Sequence, residues 1–153
     1  MTALRHRLIL AVAALAGSAL VTATHAADTD EEAIIETVQA MWSALGQGDI
    51  DTYATFVHPD YTLFGEGDVY LAEGKALEIR NMIDWVTRAK GVHTEMHDPN
   101  VTVRGDTAWL TYYWTDAGYT NGERFTTRGK STRIFVRDDD RWLCIHGHFT
   151  AVP

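Results

Sequence analysis

The chain has 153 residues, 46% apolar and 22% charged with only three prolines, the profile of a globular domain rather than a disordered or collagen-like segment. Thirteen Lys and Arg stand against 21 Asp and Glu, a net charge of −8, so the basic footprint of a nucleic-acid-binding protein is missing. The single cysteine, Cys144, excludes an internal disulfide, a CxxC redox pair and a cysteine-rich zinc site.

Residues 1–26 read as a secretory signal peptide. Arg5 and Arg7 precede an apolar stretch from Leu8 to Val21, and small residues lead to Thr24-His25-Ala26. The run Leu8 to Ala23 is short and rich in Ala and Gly, below the about 20 strongly apolar residues of a bilayer span. Cleavage after Ala26 is expected, leaving 27–153 as one acidic domain, periplasmic or secreted, without a stable membrane anchor.

Thr29 with Glu32 three residues on fits a capping box, and Ile34, Ile35, Val38, Met41, Trp42 and Leu45 share the helical face that follows, up to Gly46 or Gly48. Asp49 caps a short second helix carrying Ile50, Tyr53, Ala54 and Val57, stopped by His58-Pro59. Tyr61 to Phe64 and Val69 to Leu71 read as short strands joined by the turn Gly65-Glu66-Gly67-Asp68. Ala76, Ile79, Met82, Ile83 and Val86 predict a third helix, ended by Gly91. From Val92 the period becomes two, broken at Gly105-Asp106, Asn121-Gly122 and Asp138-Asp139-Asp140, so four antiparallel strands are expected. The fold class is α+β, with helices on one face of a strongly bent sheet.

Two runs carry a family resemblance. GVHTEMHDPNVTVRGDTAWLTYYWTDAG, Gly91 to Gly118, and STRIFVRDDDRWLCIHGHFT, Ser131 to Thr150, resemble the association (hub) domain of calcium/calmodulin-dependent protein kinase II and its SnoaL-like relatives in the nuclear transport factor 2-like superfamily. The specific part is Thr132-Arg133, the acidic turn, Arg141-Trp142 and the HxH of His146 and His148. The resemblance covers nearly all of 27–153. It implies a cone-shaped fold, three N-terminal helices packed on a strongly curved antiparallel sheet with a cavity between them, and a sheet surface used for dimerisation. No kinase domain is expected in these residues.

Fold does not fix function in this superfamily, which includes isomerases, cyclases, dehydratases and non-catalytic assembly modules. Arg133 matches the hub arginine that points into the pocket, where a guanidinium keeps its charge and offers a carboxylate a bidentate fork. His146 and His148 match the HxH and should share one side with Trp142, Cys144 and Thr150 if the strand carries no bulge. Either can act as a general base near neutral pH or serve as a structural hydrogen-bonding group. Phe149 falls where some hub domains carry a second pocket arginine. Tyr112 and Trp114 share one parity of their strand and Trp109 and Tyr113 the other; one set lines the cavity and the other covers the outer surface, the parity being open.

Tyr61 or Tyr113 could donate to a developing enolate, with Asp116 or His148 as acceptor, although Asp60 and Asp116 also suit turns or caps. Tyr53 and Trp42 fit the helix core, and Cys144 a buried strand position. His93, Glu95 and His97 alternate on an extended strand and spread over about 13 Å, too far for one ion, so no metal is expected, and no cofactor. Tyr113, Arg133, His146 and His148 are the candidate ligand-binding residues, and His148, His146, Asp116 and Tyr113 the candidate catalytic ones. The expected function is a homodimer or larger assembly whose pocket binds a small polar or anionic organic molecule. The alternative is a cofactor-independent isomerase, cyclase or dehydratase with a His or Asp base.

Overall fold

A computed structural model describes residues 29–153; the expected signal peptide and its cleavage point lie outside the described residues. Helix α1 (Asp30–Gln47) begins where Thr29 accepts from the Glu32 backbone N–H and ends at Gly48 in the left-handed region, φ +74°. Ile34, Val38, Met41 and Ala44 are its buried stripe. Asp49 caps α2 (Ile50–Thr55) by accepting from Thr52 N–H. Strand β1 (Val57–Phe64) follows directly and is longer than its apolar run, because Pro59, which lacks an N–H, falls in the irregular stretch between the paired residues Val57 and Thr62.

Strand β2 is Ala72–Glu73, not Val69 to Leu71: Val69 and Tyr70 are more than 80% exposed on the connection, and Thr62 and Leu63 pair with Glu73 and Ala72. Helix α3 (Lys75–Arg88) comes only after β2, so two helices, not three, precede the first strand. Of its expected face, Ile79 and Met82 pack on the core. Glu78, Met82 and Trp85, at i, i+4 and i+7, turn inward while Ile83 is half exposed. The helix stops at Arg88, and Gly91, φ +57°, lies inside the next strand.

Strands β3 (Ala89–Arg104), β4 (Thr107–Thr120), β5 (Glu123–Asp138) and β6 (Arg141–Ala151) form the expected antiparallel meander. Its β4–β5 turn is Asn121-Gly122 with φ +51° and +86°, the mirror-image turn whose twist matches the flanking strands. The six-stranded sheet has the order β2-β1-β6-β5-β4-β3 and is mixed rather than wholly antiparallel, because β1 joins β6 in parallel. Register shifts within β3 and β6 bend it over the helices. Between them lies one core: α1's stripe meets Ala108, Leu110, Phe135 and Cys144, each fully buried. Burial of side chains such as Ile34, Leu110 and Phe135 stabilises the fold by about 1.5–3 kcal/mol each.

Candidate functional site

Beyond the tight end of this core the helices and sheet diverge around a half-open cavity of about 240 Å³. The pairing fixes which side chains reach it. In β4, Leu110 and Tyr112 are buried while Trp109 and Tyr113 are 39% and 55% exposed, so the even parity faces in and the odd parity out. Trp42, Trp85, Trp114 and Phe149 form an aromatic wall, with Trp114 edge-on to Phe149 at a centroid distance of 6.4 Å.

Arg133 points into this space, as the sequence implies. Its Nε donates to the Tyr112 hydroxyl at 3.0 Å and one Nη approaches Cys144 Sγ at 3.8 Å. Tyr112 is held in turn by Trp42, edge-on at 5.6 Å. Among the described residues no carboxylate comes within ion-pair distance of the Arg133 guanidinium, and its second Nη has no partner.

The two acids of the cavity are Glu78 and Asp116. Tyr53 donates to Glu78 Oε1 at 2.5 Å, whereas Glu78 Oε2 is buried without a hydrogen-bond partner. Burial pushes the Glu78 carboxyl above the ordinary range, against the Tyr53 hydrogen bond and the nearby Arg133 charge. Asp116 sits at the far end, six residues along β4 from the residue paired with Arg133. Its carboxyl is raised by burial and partly restored by Thr94, and its Oδ1 has no partner. Burial likewise keeps the Tyr53 and Tyr61 phenols and the Cys144 thiol in their neutral forms.

His146 and His148 do not share the side of Cys144. In the β5–β6 ladder Ile134 pairs with His146 and Phe135 with Cys144, so Ile145 is an extra residue, and parity inverts across it. Cys144 stays in the core, Gly147 lies under the Tyr61 ring, and Phe149 reaches the cavity, while both histidines face outward. A Cβ at position 147 would fall 2.6 Å from the Tyr61 hydroxyl, which accounts for glycine there. Thr62 bonds His146 Nδ1 at 2.8 Å, and Phe64 stands edge-on to both imidazoles. Burial, then the charge of His148, hold His146 below its ordinary pKa. His148 and Tyr113 meet in a shallow outer groove of about 320 Å³ with Asp98, Lys130 and Thr132.

Of the candidates, then, Arg133 and Asp116 reach the cavity and Tyr113, His146 and His148 do not. Tyr61 lines it, and Asp60 lies exposed on β1. His93 lies 3.3 Å from Glu95, and His97 bonds Thr115. Sequence reasoning passed over Glu78, Tyr53 and Trp85. The i, i+4, i+7 spacing of Glu78, Met82 and Trp85 was the available signal, masked by the apolar stripe one residue away.

Comparisons with known proteins agree with this architecture. The profile of the calcium/calmodulin dependent protein kinase II association domain matches residues 30–153. The calcium/calmodulin-dependent protein kinase type II of Caenorhabditis briggsae is 31% identical over 123 residues, covering 78% of this chain and 23% of that protein. The corresponding Caenorhabditis elegans kinase is 29% identical, covering 78% and 17%. The chain thus spans less than a quarter of the curated relatives it matches. Among solved structures, the S. rosetta kinase II hub superposes with a TM-score of 0.70 at 29% identity, covering 81% of this chain and 98% of that one. A nuclear transport factor 2-like protein from Streptomyces avermitilis, described as a dehydratase, gives 0.75 at 21% identity over 82% and 98%, a likeness of fold alone. With the profile spanning every described element, the chain belongs to the calcium/calmodulin dependent protein kinase II association domain family.

Proposed function

We propose that the domain is a self-associating module whose cavity holds a small organic acid on Arg133. The observation that carries this reading is a guanidinium set in an aromatic-walled cavity with no carboxylate of the described residues within ion-pair distance of it. A desolvated charge lacking a partner is costly, and a ligand carboxylate is a counter-ion of matching shape. Tyr112 holds the Nε and so fixes the plane in which the rest of the fork is presented. Phe149, in place of a second arginine, leaves a single fixed positive charge and suits a monoanion with an apolar body.

Calorimetric titration with phenylacetate tests this. Wild-type protein should bind it, the neutral phenylacetamide should bind at least tenfold more weakly, and Arg133→Ala should lose the discrimination between them. Equal phenylacetate affinity in wild type and Arg133→Ala would sink the reading.

Self-association is supported by the exposed rings of Trp109, Tyr113 and Tyr119. A monomer mass by light scattering at micromolar concentration counts against it. Export rests on residues 1–26 and requires that the protein recovered from outside the cytoplasm begin at Ala27. A second reading, proton transfer next to a carbonyl, is favoured by one observation, the buried and unpartnered Asp116 oxygen in the cavity. It requires deuterium exchange into an enolisable ketone that Asp116→Asn abolishes.

A further inference from the structure

Glu78 is 4% exposed, and its two oxygens are treated differently. Oε1 accepts from Tyr53; Oε2 is shut away from solvent with no donor among the described residues. The groups facing it are Tyr53 of α2, Tyr61 of β1, Arg133 of β5 and Cys144 of β6. Burial keeps both phenols and the thiol neutral, so of these four only Arg133 carries charge, and it lies beyond ion-pair distance from Glu78.

An ionised carboxylate whose second oxygen has no donor is an expensive arrangement. It becomes worse once an organic anion sits on Arg133, because the enclosed end would then hold two negative charges against one positive. With Glu78 neutral the count is one of each. The neutral form also converts Oε2 from an acceptor without a donor into a donor beside an anion. Tyr53 remains satisfied in either state, since its hydroxyl goes to Oε1.

We propose that Glu78 serves the ligand site as a neutral acid, donating its Oε2 hydroxyl to the same carboxylate that Arg133 pairs, so that ligand binding is coupled to retention of a proton. This rests on the Arg133 reading above and deepens it. The occupant is a monoanionic carboxylate that accepts from one charged and one neutral donor, and a dianion is excluded by the single positive charge. The proton stays on Glu78 throughout, shared in a hydrogen bond and not transferred.

The test uses phenylacetate as the probe and calorimetric titration of the purified protein from pH 5.5 to 8.5. Wild-type affinity is expected to fall, by up to about tenfold per pH unit, once the pH passes the point at which Glu78 ionises in the free protein. Glu78→Gln keeps an acceptor for Tyr53 and an N–H donor, and should bind within about threefold of wild type at pH 5.5 with no such fall. Glu78→Ala should bind at least tenfold more weakly at pH 5.5. The proposal is overturned if Glu78→Ala binds as tightly as wild type, if wild-type affinity rises with pH, or if the fall persists in Glu78→Gln. Should Glu78→Ala fail to fold, the wild-type series and the Gln variant still decide. Absence of phenylacetate binding to wild type at every pH sinks the Arg133 reading itself; binding lost in Arg133→Ala but indifferent to Glu78 sinks only this one.

Discussion

Gly129 lies in the middle of β5 opposite Trp114, and a methyl group added there has nowhere to go. A Cβ would fall 2.2 Å and 2.5 Å from Trp114 Cζ2 and Cε2 and 2.6 Å from the Thr150 carbonyl oxygen. Real Cβ contacts do not come this close, so the indole, the backbone or both must shift. The indole stands edge-on to Phe149 and the carbonyl belongs to strand β6, which leaves neither free to yield alone. Gly129→Ala is therefore expected to cost about 1–3 kcal/mol as an overpacking substitution, the gain of removing a strand glycine being outweighed. For a domain of this length that lowers Tm by roughly 3–12 °C. Urea unfolding followed by tryptophan fluorescence reads both the stability and the displaced indole. Trp114→Leu in the same chain should recover part of the loss, because the ring is the nearer obstacle. A Gly129→Ala midpoint equal to that of wild type, with unchanged fluorescence, would refute the packing argument. The same substitution should weaken phenylacetate binding, since Trp114 is cavity wall.

Met41, fully buried on α1, should cost about 2–4 kcal/mol as Met41→Ala in urea unfolding, with the m-value unchanged. Asp30 receives Arg137 at 2.6 Å and the Trp142 indole N–H at 3.3 Å, and the Arg137 hydrogen bond, against burial, holds its carboxyl below the ordinary 3.8. Its contribution is present at neutral pH and is lost as pH falls below 3.8 through that lowered value, so Asp30→Asn should flatten the acid limb of the stability curve. His146 titrates below 6.5 in the folded protein, chiefly because of burial, so the unfolded chain takes up its proton first. Urea midpoints should drop as pH falls below 6.5, and His146→Gln should reduce that drop.

The parts of the fold that announce themselves locally were legible. Thr29 and Glu32 mark the start of α1, Asp49 starts α2, and Gly105, Asn121-Gly122 and the acidic turn punctuate the meander, because caps and tight turns depend on a few adjacent residues. The parallel pairing of β1 with β6 depends on residues more than eighty positions apart and leaves no local mark. On α3 the cavity-facing Glu78 and Trp85 were hidden because Ile79, Met82, Ile83 and Val86 form the more apolar stripe, of which Ile79 and Met82 do pack on the core. Arg133 was readable through its motif, whereas Glu78 looked like an ordinary helix-surface acid. Its role shows only when Tyr53 arrives from another helix.

The extra residue at Ile145 makes the last strand behave as two reading frames spliced end to end. Upstream of it, even-numbered side chains serve the interior; downstream, odd-numbered ones do. Deleting that one residue would restore plain alternation and leave every side chain on the side it already faces; taking Ile145 into the ladder instead, with each later residue slipping by one place, would send two imidazoles inward and a phenyl ring outward in a single step. Whether this sheet presents a titratable or an aromatic interior is thus decided by where the ladder leaves its one unpaired residue, with no side chain altered.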